Sequence, residues 1–237
     1  VGQIDGRHYY VMEYLRAKPL SEILAERSHR EGAAFSIEEL LSLFADLGSA
    51  LSYTHAHNVF HRDVKPANIL IDGDFKAILM DFGVAKSHVN SLHTETGSLL
   101  GTPVYMSPEQ LQGKKVDGKS DIYSLGLVIY QCLTGALPFG EENPYAATSR
   151  RLTETTPAPS SMNPQIPDLL EKIVLKCLER EGKKRFSDAS RLLEALLSVE
   201  GFPESRREFV EVSIADNRRE LNTLEMNGAA KDEAPSP

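Results

Sequence analysis

From Asp121 to Leu133 a helix would have no polar face: Ile122, Tyr123, Leu125, Leu127, Val128, Ile129, Tyr130, Cys132 and Leu133 occupy every side of it. A helix that is apolar all round must be enclosed by other elements. The rest of the chain therefore has to wrap it, and 237 residues with 41% apolar content are enough to do so. Gly135 and Pro138 supply the stop signals at its far end.

The segments around it carry matching signals. Val1 to Leu15 reads as the end of one strand, a turn at Asp5-Gly6 and a strand over His8–Tyr14, because Asp-Gly between apolar runs favours a hairpin. Pro19 opens a short helix with Leu20, Ile23 and Leu24 on one face. A long helix begins at Ser36, which caps it with Glu39 three positions on in a capping box. Ile37, Leu40, Leu41, Phe44, Leu47 and Leu51 follow at helical spacing, and Asn58 is the expected stop. Ile69–Asp72 and Lys76–Met80 are two short strands about the Asp72-Gly73-Asp74 turn. Residues 84–107 are polar, rich in Ser and Thr and without periodicity. Two amphipathic helices are expected over Asp168–Glu179, opened by Pro167, and Ser187–Val199, capped by Ser187. From Gly201 apolar content falls, and residues 200–237 are expected to be a tail or linker with partial disorder.

The chemistry concentrates in His61-Arg62-Asp63-Val64-Lys65-Pro66-Ala67-Asn68 and Asp81-Phe82-Gly83. One Asp is followed by a Lys two positions on and an Asn five positions on, with a second Asp eighteen positions after the first. The set offers a carboxylate to orient a hydroxyl, a cation for a phosphate and two oxygen donors for magnesium. Mg²⁺ favours hard oxygen ligands shared with substrate phosphates over an all-protein cage.

This octet followed by Asp-Phe-Gly resembles the catalytic loop and metal-binding triplet of eukaryotic-type (Hanks-type) serine/threonine protein kinases of bacterial character. The resemblance covers residues 1 to about 199. It implies an α+β, protein-kinase-like fold, mainly the helical C-lobe with the last small-lobe strands and the hinge. ATP and Mg²⁺ are the implied cofactors, and proteins bearing Ser or Thr the implied substrates. Asp63 is the implied base and Lys65 the group that stabilises the transferring phosphoryl. Asn68 and Asp81 would hold magnesium. Tyr10 to Leu15 resembles the strand that runs into the hinge, with Met12 as gatekeeper and the backbone of Glu13 and Leu15 at the adenine edge. Leu70 would pack beneath the adenine. His61 and Phe82 would stack together. Gly101-Thr102-Pro103 and Ser107-Pro108-Glu109 resemble the end of an activation segment, with Ser107 where Ala is commoner. There Glu109 would pair with Arg185, and Asp121 would hold the catalytic-loop backbone.

Lys65 and Thr102 fit the Ser/Thr branch of the family. Members that read basic residues upstream of their target often carry Glu at the positions of Ala67 and Gln131, so no strong preference for upstream Arg is expected. Arg62 before the base is the pattern of kinases switched on by loop phosphorylation, with Thr94, Thr96 and Ser98 as candidate acceptors. A phosphate adds roughly −1.5 to −2 charges and orders a loop by pairing with Arg.

The family's Gly-rich loop, strand Lys and helix Glu do not occur in these 237 residues. The chain begins at Val1 rather than Met, and the expectation is a truncated catalytic domain with negligible turnover by itself. A pseudokinase scaffold is the main alternative, disfavoured by the intact Asp63, Lys65, Asn68 and Asp81. A small-molecule phosphotransferase of the aminoglycoside type is disfavoured by the Thr102–Glu109 stretch. The net charge of −8 and the lack of a Lys/Arg stripe argue against nucleic acid. No run of eighteen uncharged apolar residues is present, so no membrane segment is expected in the chain. Cys132 and Cys177, both within apolar helical patterns, are expected to be buried free thiols of a cytoplasmic protein.

Overall fold

The apolar segment is the axis of the structure. In the computed structural model, which describes residues 2–4, 7–9, 11–28, 35–82, 103–140 and 143–232, it forms a helix over Gly118–Thr134. Ile122, Leu125, Leu127, Val128, Ile129 and Tyr130 in it are each 0% exposed. Asp117 caps its start by accepting the Lys119 N–H at 2.9 Å, and Gly135 ends it in the left-handed region at φ 78°.

In chain order the elements are strands β1 (Gly2–Ile4), β2 (Arg7–Tyr9) and β3 (Ala17–Pro19), helices α1 (Leu20–Ser28) and α2 (Ile37–Ala56), strands β4 (Ile69–Asp72) and β5 (Ala77–Leu79), then α3 (Pro108–Leu111) and the axial helix α4. Helices α5 (Pro144–Thr153), α6 (Asp168–Cys177), α7 (Ala189–Leu197) and α8 (Glu204–Asp232) complete the described chain. β1 and β2 form one antiparallel ladder, and β3-β4-β5 form a second, with Pro19 opposite Leu70 and Ile69 opposite Leu79.

Helix α2 has the Ser36–Glu39 capping box: Ser36 Oγ accepts the Glu39 N–H at 3.1 Å, and Ser36 N–H donates to Glu39 Oε2 at 2.7 Å. Arg27 of α1 grips the same Glu39 carboxylate with two N–H groups, at 2.7 and 3.0 Å. That grip holds the Glu39 carboxyl below the usual carboxylate range, against the opposing effect of burial. α4 lies against α6 at Gly126, where a Cβ would meet the Cys177 Cβ at 2.8 Å. Only glycine permits that approach.

Several local expectations are corrected. The strand expected over His8–Tyr14 does not continue through residues 11–14; its described part is Arg7–Tyr9, paired with β1. Residues 11–16 have no regular secondary structure, and Val11 and Tyr14 are 82% and 86% exposed. The cap of α7 is Asp188 rather than Ser187: Asp188 Oδ1 accepts the Arg191 N–H at 2.9 Å, while Ser187 Oγ donates to Asp188 Oδ2. The expected helix Asp168–Glu179 ends at Cys177.

The largest correction concerns the tail. Residues 204–232, expected to be a linker, form the longest helix among those described. Phe202, Val210, Ile214 and Asn217 are buried against α2 and α7. Asn217 Nδ2 donates to Ser52 Oγ at 2.7 Å, and Ser52 Oγ lies 2.6 Å from Ser190 Oγ, so one buried polar chain ties α8, α2 and α7 together. Buried polar groups linked in this way fix one packing register, since sliding any helix would leave them unpaired.

Candidate active site

The loop between α2 and β4 carries the octet, and the short strands carry its far end back to Asp81. Met80 N–H donates to the Asn68 carbonyl at 2.8 Å, and His61 Nε2 sits 2.8 Å from the Met80 carbonyl. The two ends of the motif are thereby pinned together across the β4-β5 hairpin. The hairpin is set by Asp72, whose Oδ1 accepts the N–H groups of Asp74 and Lys76, both at 2.9 Å. It is an Asx turn, with Phe75 beside it at φ 58°.

Asp121 anchors the loop from below. It lies in the first turn of α4 and is 1% exposed. Its Oδ2 accepts the His61 N–H at 2.8 Å and its Oδ1 accepts the Arg62 N–H at 2.7 Å. His55 of α2 approaches Oδ2 as well, with Nε2 at 2.8 Å. The His61 ring meets Phe82 with centroids 4.8 Å apart. Arg62 and Asp81 both adopt left-handed backbone, at φ 65° and 56°. Such strain at non-glycine residues persists where the surroundings hold it.

Within the loop, Lys65 Nζ donates to Asp63 Oδ2 at 2.8 Å. Asn68 Nδ2 donates to the Asp63 carbonyl at 2.9 Å and to Asp63 Oδ2 at 3.2 Å. The Asp63 carboxylate is therefore oriented by a cation and an amide. Because Asn68 turns its nitrogen on Asp63, its Oδ1 is the atom left to act as an oxygen donor. Asp81 is exposed, two residues beyond the end of β5. One amide oxygen and one carboxylate form a hard donor set that fits magnesium shared with phosphates. Among the described residues, no group of three or more His, Cys, Asp and Glu is arranged to hold a metal by itself.

Arg185 ties α3 to the start of α4 and to the turn after α6. Its Nη1 and Nη2 grip Glu109 Oε1 and Oε2 at 2.7 and 2.8 Å. Its remaining N–H groups donate to the carbonyls of Glu179, Lys119 and Arg180 at 2.7, 2.8 and 3.0 Å. All five guanidinium donors are used. Burial alone would raise the Glu109 carboxyl, but the Arg185 bonds and the Ser120 hydroxyl bring it down to about 2. Sequence reasoning missed Arg151 of α5, which is 3% exposed and donates to the carbonyls of Val104 and Pro103 at 2.6 and 3.3 Å. It also missed Gln110, whose S-x-x-Q spacing from Ser107 was readable as a cap.

The other expected positions are placed as follows. Met12 and Glu13 are exposed, Leu15 is half-buried, and Leu70 is half-buried in β4 opposite Pro19. Thr94, Thr96, Ser98 and Thr102 lie outside the described residues, as do Gly83 and Gly101.

A helical body built on one buried axis, with a catalytic loop hung from its first turn, defines the large lobe of a protein-kinase-like fold. The protein kinase domain family matches residues 3–197, and the chain belongs to it. It is 32% identical over 199 residues to a probable serine/threonine-protein kinase of Clostridium acetobutylicum, covering 84% of this chain and 30% of that one. A second probable serine/threonine-protein kinase, from Clostridium perfringens, is 34% identical over 203 residues, 86% of this chain and 29% of that one. The serine/threonine-protein kinase PknB of Mycolicibacterium smegmatis is 36% identical over 193 residues, 81% of this chain and 30% of that one. The chain thus spans less than a third of the length of these curated relatives.

Proposed function

We propose that this chain is the catalytic lobe of a serine/threonine protein kinase, which transfers the γ-phosphoryl group of ATP to Ser and Thr hydroxyls of proteins. The observation that carries the reading is the Asp63 carboxylate held by Lys65 and Asn68 within one loop. Asp63 accepts a hydrogen bond from the attacking hydroxyl and takes its proton as the new P–O bond forms and the γ-phosphorus bond to the ADP oxygen breaks, with ADP leaving. Lys65, already beside Asp63, meets the negative charge of the phosphoryl group in transit. Asn68 Oδ1 and the Asp81 carboxylate would hold magnesium, which when bound neutralises charge on the nucleotide's phosphates. Met12, Glu13, Leu15 and Leu70 would contact the adenine, and Thr102 would support Asp63 from the substrate side. Phosphoryl transfer asks little covalent chemistry of the protein, so positioning and charge carry the rate.

Gln131 supports the reading of a kinase without strong demand for upstream Arg. Its Oε1 accepts the Tyr105 hydroxyl at 2.6 Å, so a neutral, already engaged amide stands where an acidic reader would be needed. Arg62 supports control by phosphorylation at Thr94, Thr96 or Ser98, since its buried Nε finds no hydrogen-bond partner among the described residues. A reducing cytoplasmic setting is proposed from the two buried free cysteines. Among the described residues no helix is long and apolar enough to cross a membrane.

The chain spans less than a third of the length of its curated relatives, so the test uses the full-length natural protein. Asp63→Asn should lower phosphotransfer to a generic protein substrate by at least about 10²–10³-fold, as loss of a well-placed group does. Equal rates in the two proteins would refute the proposal.

A further inference from the structure

We infer that Gln110 is a positioning residue for the base, an inference that rests on the kinase reading of Asp63. Gln110 sits in α3, capped by Ser107. Ser107 N–H donates to Gln110 Oε1 at 2.9 Å, and Gln110 N–H donates to Ser107 Oγ at 3.4 Å. This box uses only the carbonyl half of the side-chain amide, and glutamate fills that place equally well. The helix therefore gives no reason for an amide here.

The reason lies 48 residues away in the sequence. Gln110 Nε2 donates to the Arg62 carbonyl at 2.9 Å. That carbonyl and the Asp63 N–H belong to one peptide plane, from which the Asp63 side chain hangs. The plane is held at its other edge by His61, whose Nδ1 lies 3.3 Å from the Asp63 nitrogen. Arg62 itself is in the left-handed region at φ 65°, and its N–H is taken by Asp121. A residue in that conformation relaxes unless its polar groups are fixed. Asp121 fixes one side and Gln110 the other. Gln110 in turn is immobilised by its neighbour Glu109 in the Arg185 grip. The substrate-side segment ending in α3 thus sets the angle of the base through one amide.

Two variants separate this role from capping. Gln110→Glu keeps the acceptor for Ser107 and loses the donor to Arg62. Gln110→Met loses both and adds no charge. In the 237-residue chain, hydrogen exchange at the Arg62 and Asp63 amides should accelerate roughly tenfold in both variants, while the α3 amides stay protected in Gln110→Glu. In the full-length protein both should lower kcat roughly tenfold, with KM for ATP and for the protein substrate within about twofold, the size of one lost hydrogen bond. Unchanged exchange at Asp63 in Gln110→Glu, or unchanged kcat in both variants, would overturn the inference. If the unsubstituted full-length protein transfers no phosphate, the kinase reading fails instead, and the exchange result still decides what Gln110 holds.

Discussion

Replacing Glu109 by Gln should lower the melting temperature by roughly 6–20 °C at pH 7. The change leaves Arg185, 4% exposed, with its charge and without its carboxylate, while the new amide nitrogen faces a guanidinium. Removing one partner of a buried pair costs about 3–5 kcal/mol, and a domain of this size loses about 2–4 °C per kcal/mol. Acid provides an independent check. The Glu109 carboxyl is at about 2 in the fold against an ordinary 4.5. A carboxyl depressed by folding stabilises fully above its ordinary value, and that contribution drains away as pH falls toward the folded value. The gap between the parent and Glu109→Gln should therefore be constant from pH 7 to about pH 5 and narrow from there toward pH 2. Circular-dichroism melts of both proteins across that range measure it. A shift under about 2 °C at pH 7, or a gap indifferent to pH, would refute the reasoning.

Three further outcomes are expected. Asp46 is buried where α2 meets β5 and α8, with Oδ2 accepting the Ala77 N–H at 2.9 Å and lying 3.5 Å from an Arg206 Nη2 whose attraction only partly offsets burial, and with Oδ1 unpartnered among the described residues. Burial pushes its carboxyl up, so its charge opposes folding above the usual carboxylate range; Asp46→Asn should raise the melting temperature at pH 7, and the gain should vanish in acid. Gly126→Ala would drive a methyl into Cys177, and equilibrium denaturation should show a loss of about 1–3 kcal/mol. Val210, 0% exposed on α8, should tolerate Asp badly: melts of Val210→Asp should shift by several degrees, whereas a loose tail would show no change.

The axial helix α4 was legible because a segment without a polar face has only one place to go. The start of α2 was legible because Ser36 and Glu39 state their capping chemistry locally. The octet was legible as chemistry, and the pairing of Glu109 with Arg185, 76 residues apart, came from family resemblance rather than from spacing. Helix α8 was hidden for a physical reason. Its inward positions Val210, Ile214 and Asn217 do follow helical spacing, but the last is held by hydrogen bonds, which hydrophobic periodicity cannot register. Ser187 and Asp188 are both competent caps, and backbone geometry at Asp188 decides between them. Gln110 shows the same limit, since its capping bond is local and its bond to Arg62 is tertiary.

In the proposed mechanism Asn68 and Asp81 hold a nucleotide-bound cation, with Asp63 and Lys65 beside the phosphates it carries. Paramagnetic Mn²⁺ in place of Mg²⁺, titrated with ATP into the isotopically labelled chain, tests it without requiring turnover. Amide signals of Asp63, Asn68 and Asp81 should broaden together in one saturable step, and Asp81→Asn should weaken that step at all three. Broadening at only one of these residues, or equal broadening after Asp81→Asn, would rule that arrangement out.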